Sequence, residues 1–211
     1  MESLSTKERI LKEALNLFSV KGYEGVSVAQ IASAVGIKPP SLYKHFQSKQ
    51  EIFEAILKEM TARYRRQAAV MEMNGLDARD DKGLFMEISE VQLIEMGKSL
   101  FRYFLHDAYM SKFRRMLALG QYHDPALSNL YIKQFVDEPL AYQGMIFGLL
   151  IQGGVLLPEP PQIMALHFYA PIFLLLTLCD CHPEREIEAI EMVEQHIRQF
   201  NRLYQRNESS R

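Results

Sequence analysis

Val28-Ala29-Gln30-Ile31-Ala32-Ser33-Ala34-Val35-Gly36-Ile37-Lys38-Pro39-Pro40-Ser41-Leu42-Tyr43-Lys44-His45-Phe46 is the stretch that decides the fold. It reads as two short helices meeting at a tight turn. Such a pair needs a small residue where the helices touch, a glycine at the turn and an apolar anchor in the second helix, and Ala32, Gly36 and Leu42 stand at those three places. Pro39 and Pro40 fit only the first turn of the second helix, where a missing N–H costs nothing. A second helix of about two turns would present Lys38, Ser41, Tyr43 and Lys44 outward, and a helix of that size enters the major groove end-on.

Working outward, Ser5 with Glu8, Ser27 with Gln30 and Ser48 with Glu51 form three capping boxes, each at a plausible helix start. The first helix carries Ile10, Ala14, Leu17 and Phe18 on one stripe and ends at Gly22. The second turns Val28, Ile31, Ala32 and Val35 inward and ends at Gly36. The helix after Ser48 should run to about Met73, with Ile52, Phe53, Ile56, Leu57 and Met60 on its apolar side. Residues 1–50 hold six Lys and one Arg against four Glu, whereas the remainder of the chain is net acidic. That modest excess gains meaning because Lys38, Lys44 and Lys49 lie where a polyanion would approach.

At these residues the resemblance is plain. Ile10-Leu11-x-x-Ala14, Leu17-Phe18, Gly22-Tyr23, Ser27-Val28, Ile31-Ala32, Gly36-Ile37, Ser41-Leu42-Tyr43-x-His45-Phe46 and Ser48-Lys49 closely resemble the TetR family of bacterial regulators over about residues 6–57. The resemblance implies a three-helix head that binds operator DNA and a helical C-terminal domain that binds a small effector and dimerises. It places Tyr43, His45 and Lys49 on the phosphate backbone, and Lys38, Pro39, Pro40, Ser41 and Lys44 in or beside the groove. Ser27 and Val28, at the start of the second helix, would also meet phosphate. Each has a plainer alternative: Tyr43 packed beside Phe46, His45 as a helix-end cap, Ser27 as a structural cap first.

Beyond the head, periodicity stays helical and no strand pair emerges, so the fold class is all-α. The expected division is a DNA-binding domain over residues 1–50 and a ligand-binding and dimerisation domain over 51–211. Asn74-Gly75 and the polar stretch 77–83 read as a loop, followed by helices over 85–106, 107–122, 124–137, 140–153, 161–180 and 184–206. Phe101, Phe104, Tyr109, Phe113, Met116, Leu117 and Tyr122 suggest one wall of an effector pocket, faced by Tyr142, Met145, Phe147 and Phe168. For any one of them, ordinary core is the commoner role. His106, His123 and His167 would be polar contacts there or simply solvent-facing. The last helix carries Ile187, Ile190, Val193, Ile197, Phe200 and Tyr204, a stripe broader than one neighbour needs. The helix before it is apolar nearly all round, so two such helices from each of two chains would build a four-helix bundle.

Other classes find little support. The apolar run 165–179 contains His167 and Pro171 and is shorter than a membrane span. The opening MESLSTKERI is polar where a secretory signal would be apolar. Cys179 and Cys181, two apart on a helix, cannot close an ordinary disulfide, and a chain without a disulfide framework fits a reducing, cytoplasmic setting. Cys179-Asp180-Cys181-His182 lacks a second ligand pair, so no metal or cofactor is implied. No His-Glu-x-x-His, phosphate-binding glycine loop or nucleophile elbow is present. The reading is therefore a non-enzymatic, homodimeric DNA-binding regulator, a repressor released from its operator by a small hydrophobic effector. The rival is a helical small-molecule-binding protein or enzyme whose head no longer serves DNA.

Overall fold

The computed structural model describes residues 4–206. Its helices are α1 (Thr6–Lys21), α2 (Val28–Val35), α3 (Pro39–Leu42), α4 (Lys49–Val70), α5 (Ala78–Glu87), α6 (Glu90–His106), α7 (Ala108–Gly120), α8 (Pro125–Ile132), α9 (Glu138–Gln152), α10 (Pro161–Cys181) and α11 (Glu186–Tyr204). A π-helical turn, Lys133–Asp137, precedes α9, and a 3-10 turn, Pro183–Arg185, precedes α11. Among the described residues the only strand-like pairing is one bridge between Leu156 and Gln205, so the chain is all-α as expected.

The chain forms two compact units. The first joins the residues up to Tyr64 with Ala108–Ile132. Its core is Ile10, Ala14, Leu15 and Phe18 of α1, Ile31 and Ala32 of α2, Leu42, Phe46, and Ile52 and Ile56 of α4, together with Phe113, Met116 and Leu117 of α7. Leu15, rather than the expected Leu17, is the buried leucine of α1; Leu17 is half-buried. Helix α7 packs along α1, where the Lys112 ammonium donates to Asn16 Oδ1 at 2.5 Å. Tyr109 of α7 donates its hydroxyl to the Ile56 carbonyl at 3.3 Å and lies under the Arg63 guanidinium. Burial, reinforced by Glu59, pushes the Tyr109 phenol far up.

The second unit joins Arg65–Asp107 with the residues from Lys133 onward. Two apolar clusters build its core. One gathers Ala78, Ile146, Phe147, Leu150, Leu156, Met164, Ala165 and Phe200; the other gathers Ile94, Phe101, Leu175, Leu176, Cys179, Ala189, Val193 and Ile197. Phe168 packs against both, edge-on to Phe147 at 5.7 Å and to Phe200 at 5.0 Å between ring centres. Helix α10 extends the apolar run 165–179 to 21 residues, long and apolar enough by length and composition alone to cross a membrane. Here it packs against α6, α9 and α11 as the central helix of the unit.

Four local expectations are corrected. The polar stretch after Gly75 is a helix, α5, because Asp77 caps it by accepting the Arg79 N–H at 2.9 Å. Asp81, only 2% exposed, then organises the turn before it, accepting the Asn74 and Gly75 amides at 2.6 and 2.8 Å. The apolar run 85–106 is interrupted at Ile88–Ser89, where a capping box of Ser89 with Gln92 starts α6. The helix expected over 124–137 opens into the π turn for a reason visible at Pro139. That proline has no N–H for the Phe135 carbonyl four residues back, and the wider turn makes room for its ring. Tyr169 supplies the missing donor, its hydroxyl 2.8 Å from Phe135 O. Finally, the third capping box is half formed: Ser48 Oγ accepts the Glu51 N–H, but the Glu51 carboxylate turns to the Gln47 N–H at 2.6 Å.

Candidate nucleic-acid interface

The geometry of the head follows from its caps. Ser27 Oγ accepts the Gln30 N–H at 3.2 Å while Gln30 Oε1 accepts the Ser27 N–H at 2.8 Å, so α2 begins with two of its orphan donors satisfied. Gly36 ends it at φ 78°, ψ 29°, the left-handed conformation that glycine adopts without strain. There the Ile37 N–H reaches the Ala32 carbonyl at 3.0 Å, reversing the chain toward α3. Arg9 of α1 donates to the Val35 carbonyl and fastens this end of α2.

Helix α3 is shorter than the two turns expected. Regular helix covers Pro39–Leu42 only. The His45 and Phe46 amides then share the Leu42 carbonyl, at 2.8 and 3.1 Å, tightening the chain into a turn. Leu42 and Phe46 are buried, so the turn is pinned from within. Lys38, Pro39, Pro40, Ser41, Tyr43, Lys44 and His45 are all exposed in consequence. Tyr43 stands 51% exposed, while the Phe46 ring beneath is covered by the Lys7 ammonium at 5.2 Å. Among the described residues, no side chain hydrogen-bonds those of Lys38, Ser41, Tyr43, Lys44 or His45. Ser27 is exposed and Val28 half-buried at the start of α2.

Lys49 behaves differently from the rest of this group. Its ammonium donates to the Tyr23 carbonyl at 3.0 Å, lies 4.2 Å from the centre of the Tyr23 ring and faces Glu24 at 3.9 Å. Tyr23 is itself wedged between Phe18 and Phe53, each 5.2 Å away, and its hydroxyl donates to Gln50. Burial, then Glu24, raises the Tyr23 phenol above its ordinary value.

Residues 10–56, which contain this whole arrangement, match the bacterial regulatory proteins of the tetR family. Over these residues the head matches the TetR family. An uncharacterized HTH-type transcriptional regulator of Bacillus subtilis, YdgC, is 32% identical over 103 residues, 47% of this chain and 52% of that one. The negative transcriptional regulator of the biofilm operon icaADBC of Staphylococcus aureus, IcaR, is 48% identical over 52 residues, 25% of this chain and 28% of IcaR. This chain thus spans about half or less of the length of these relatives. In fold, a TetR-family regulator from Mesorhizobium loti superimposes with a TM-score of 0.68 at 20% identity, covering 95% of this chain and 97% of the other.

Outside the TetR head, the residues read as an effector pocket fall into separate groups. Phe101, Phe104 and Phe168 come together in one cluster of the second unit, and Tyr142 packs with Phe168 in the other. The Tyr142 hydroxyl donates to Asp81 at 2.6 Å. Met145 is exposed. Tyr109, Phe113 and Met116 belong to the first unit, the last two fully buried. Tyr122, 83% exposed, lines an open hollow of about 370 Å³ at the α7–α8 turn with His123, Asp124 and Asn129. His106 and His167 are exposed and paired, to Glu186 at 2.7 Å and to the Tyr204 hydroxyl at 2.6 Å. Among the described residues no three His, Cys, Asp or Glu side chains gather to hold a metal ion.

The α11 stripe is divided. Val193, Ile197 and Phe200 are buried in the core of their own unit, Ile190 and Tyr204 are half-buried, and Ile187 is 76% exposed. The apolar surface lies elsewhere: Ile163, Leu166 and Leu174 of α10 and Met192 and Leu203 of α11 are exposed. The sequence carried the signal for the α10 residues, since a helix apolar all round keeps an apolar face after one side fills the core.

Proposed function

We propose that this chain is a DNA-binding transcriptional repressor acting as a homodimer and released from its operator by a small hydrophobic effector. One observation carries the DNA reading. The exposed group Lys38, Pro39, Pro40, Ser41, Tyr43, Lys44 and His45 has no hydrogen-bonding partner among the described residues for its polar side chains, and it is held rigid from behind by Leu42 and Phe46. Unused donors and cations on a preorganised turn suit a duplex, with Tyr43 and His45 toward phosphate, Lys38 to Ser41 toward the groove and Lys44 beside it. Ser27 and Val28, at the start of α2, would approach the neighbouring phosphate. Lys49 supports the same face from behind through Tyr23.

The repressive sense is favoured by identity to the negative regulator IcaR over the head. Dimerisation is favoured by the exposed apolar residues of α10 and α11. An effector entering the aromatic core around Phe101, Phe104, Tyr142 and Phe168 would act by binding one dimer geometry more tightly than the other. A cytoplasmic setting follows from a DNA target and two free cysteines.

The test is electrophoretic mobility shift with DNA flanking the protein's own gene, at physiological salt. Binding at least about a thousand times tighter than to random duplex is expected, the lower end of the usual range of specificity ratios. Equal affinity for all sequences would overturn the regulator reading.

A further inference from the structure

Helix α9 turns an apolar stripe toward the core of the second unit, and one polar residue stands in the middle of it. At about 100° per residue, Gln143 lies about 40° from Phe147 and about 20° from Leu150, both buried, and about 160° from the exposed Met145. Gln143 is half-buried, and its Oε1 is enclosed with no hydrogen-bond partner among the described residues. A buried carbonyl oxygen without a donor is costly, and the few that persist have a reason. Donors on the same and the adjoining helix are committed elsewhere, the Tyr142 hydroxyl to Asp81 at 2.6 Å and the Tyr169 hydroxyl to the Phe135 carbonyl at 2.8 Å. The carbonyl of Gln143 is thus held ready for a donor that the chain itself does not bring.

The surroundings say what kind of molecule brings it. One turn further along α9, Phe147 lies 5.7 Å from Phe168, edge-on, and 5.1 Å from Phe200, stacked. A guest ring extends such a group by the same edge and face contacts. Among the described residues Asp81 is the one buried polar or charged side chain of this unit, and it already accepts two backbone amides and the Tyr142 hydroxyl. A charged guest would leave water for a core that holds no free opposite charge. We propose that Gln143 is the polar anchor for the effector, and that the effector is a neutral aromatic molecule carrying an O–H or N–H donor. The inference rests on the effector reading above and adds to it the class of compound and the residue that selects it.

The experiment is equilibrium dialysis of the full-length protein against matched probes. Phenol, 2-naphthol and 4-phenylphenol offer an O–H on rings of three sizes, and indole offers an N–H. Each is paired with its O-methyl or N-methyl derivative, which keeps the ring and removes the donor, and the three phenols also with the carboxylate and aminomethyl compounds on the same ring. For the ring size that binds best, methylation is expected to weaken binding about tenfold, the factor for one hydrogen bond lost at a buried acceptor. The charged counterparts are expected to bind more weakly than the neutral donor. Comparing the phenols with indole shows which donor the carbonyl prefers. In Gln143→Met, of similar length and apolar, the loss on methylation is expected to disappear; Gln143→Ala serves if that variant does not fold. A wild type indifferent to methylation, a charged probe that binds tighter than its neutral partner, or a methylation loss of equal size in the variant overturns the proposal. Binding of no probe at all is a different result, which removes the effector reading itself and this inference with it.

Discussion

The Lys49 ammonium and the Tyr23 ring lie face to face, 4.2 Å apart, and the same ammonium donates to the Tyr23 carbonyl at 3.0 Å. A side chain placed by family resemblance on the phosphate backbone is thus engaged inside the head, joining the first turn of α4 to the chain between α1 and α2. Substituting Lys49 with Met is expected to cost about 1 kcal/mol of stability, the usual scale of a partly exposed cation–π contact. It should weaken binding to all sequences while leaving the slope of log affinity against log salt unchanged, because no phosphate contact is lost. Lys44→Ala should instead reduce that slope by about one. Titrations at several salt concentrations separate the two; a reduced slope in Lys49→Met would return Lys49 to the backbone.

A second relationship lies in the second unit. Asp81 accepts two backbone amides and the Tyr142 hydroxyl, tying the turn before α5 to α9. Asp81→Ala orphans all three donors in a buried place and should cost about 3 kcal/mol, whereas Tyr142→Phe removes one donor and should cost about 1.5 kcal/mol. Because both changes break the same bond, their effects should not add. Urea denaturation of the two single variants and the double variant measures this, and strict additivity would show that Tyr142 draws its stability from packing alone.

How much of this was legible beforehand depended on where the forces are local. Capping at Ser5 and Ser27, the left-handed Gly36 and the anchors Ile31, Ala32 and Leu42 are set by neighbours within a few residues, so their spacing shows in the chain. What escaped was set from a distance. Helix α5 looks like a polar loop until Asp81 is seen to close the turn before it and Tyr142 to approach from α9. The interruption of α8 by the π turn follows from Pro139, but the donor that satisfies Phe135 comes from Tyr169 on α10. In the same way the reach of Lys49 back to Tyr23, 26 positions earlier, is a tertiary fact, although the residue types that make it were both in view.

Burial of the Tyr109 phenol has a consequence at high pH. Its ionisation is shifted well above the ordinary phenol value by desolvation first and by Glu59 second. The folded state therefore holds the proton more tightly than the unfolded state. The associated stability is complete below about pH 10, the unfolded phenol value, and is lost as the pH rises beyond it. The wild type should lose thermal stability steeply between about pH 9.5 and 11, and Tyr109→Phe should lose less over that interval. Melting curves across the range decide the matter, and parallel curves for the two proteins would show that Tyr109 ionises freely.

Exposed and buried apolar residues of the last two helices should separate in a single set of variants. Leu166 and Leu174 stand on the outer face of α10, Leu174 at 67% exposure, while Val193 is fully buried on α11. A leucine pair about half or more exposed contributes little to the core of its own chain, so Leu166→Glu with Leu174→Glu should change the unfolding midpoint of an isolated subunit only slightly. Placed across an interface between two copies, the same charges face apolar surface and, by symmetry, each other, which opposes association. Sedimentation at micromolar concentration should then show a folded monomer, and operator affinity should fall because two heads no longer bind as one body. Val193→Ala should do the reverse: about 1 to 2 kcal/mol of lost stability from a missing core volume, with the dimer retained. A glutamate pair that sediments as a dimer would place the interface elsewhere than on this face of α10.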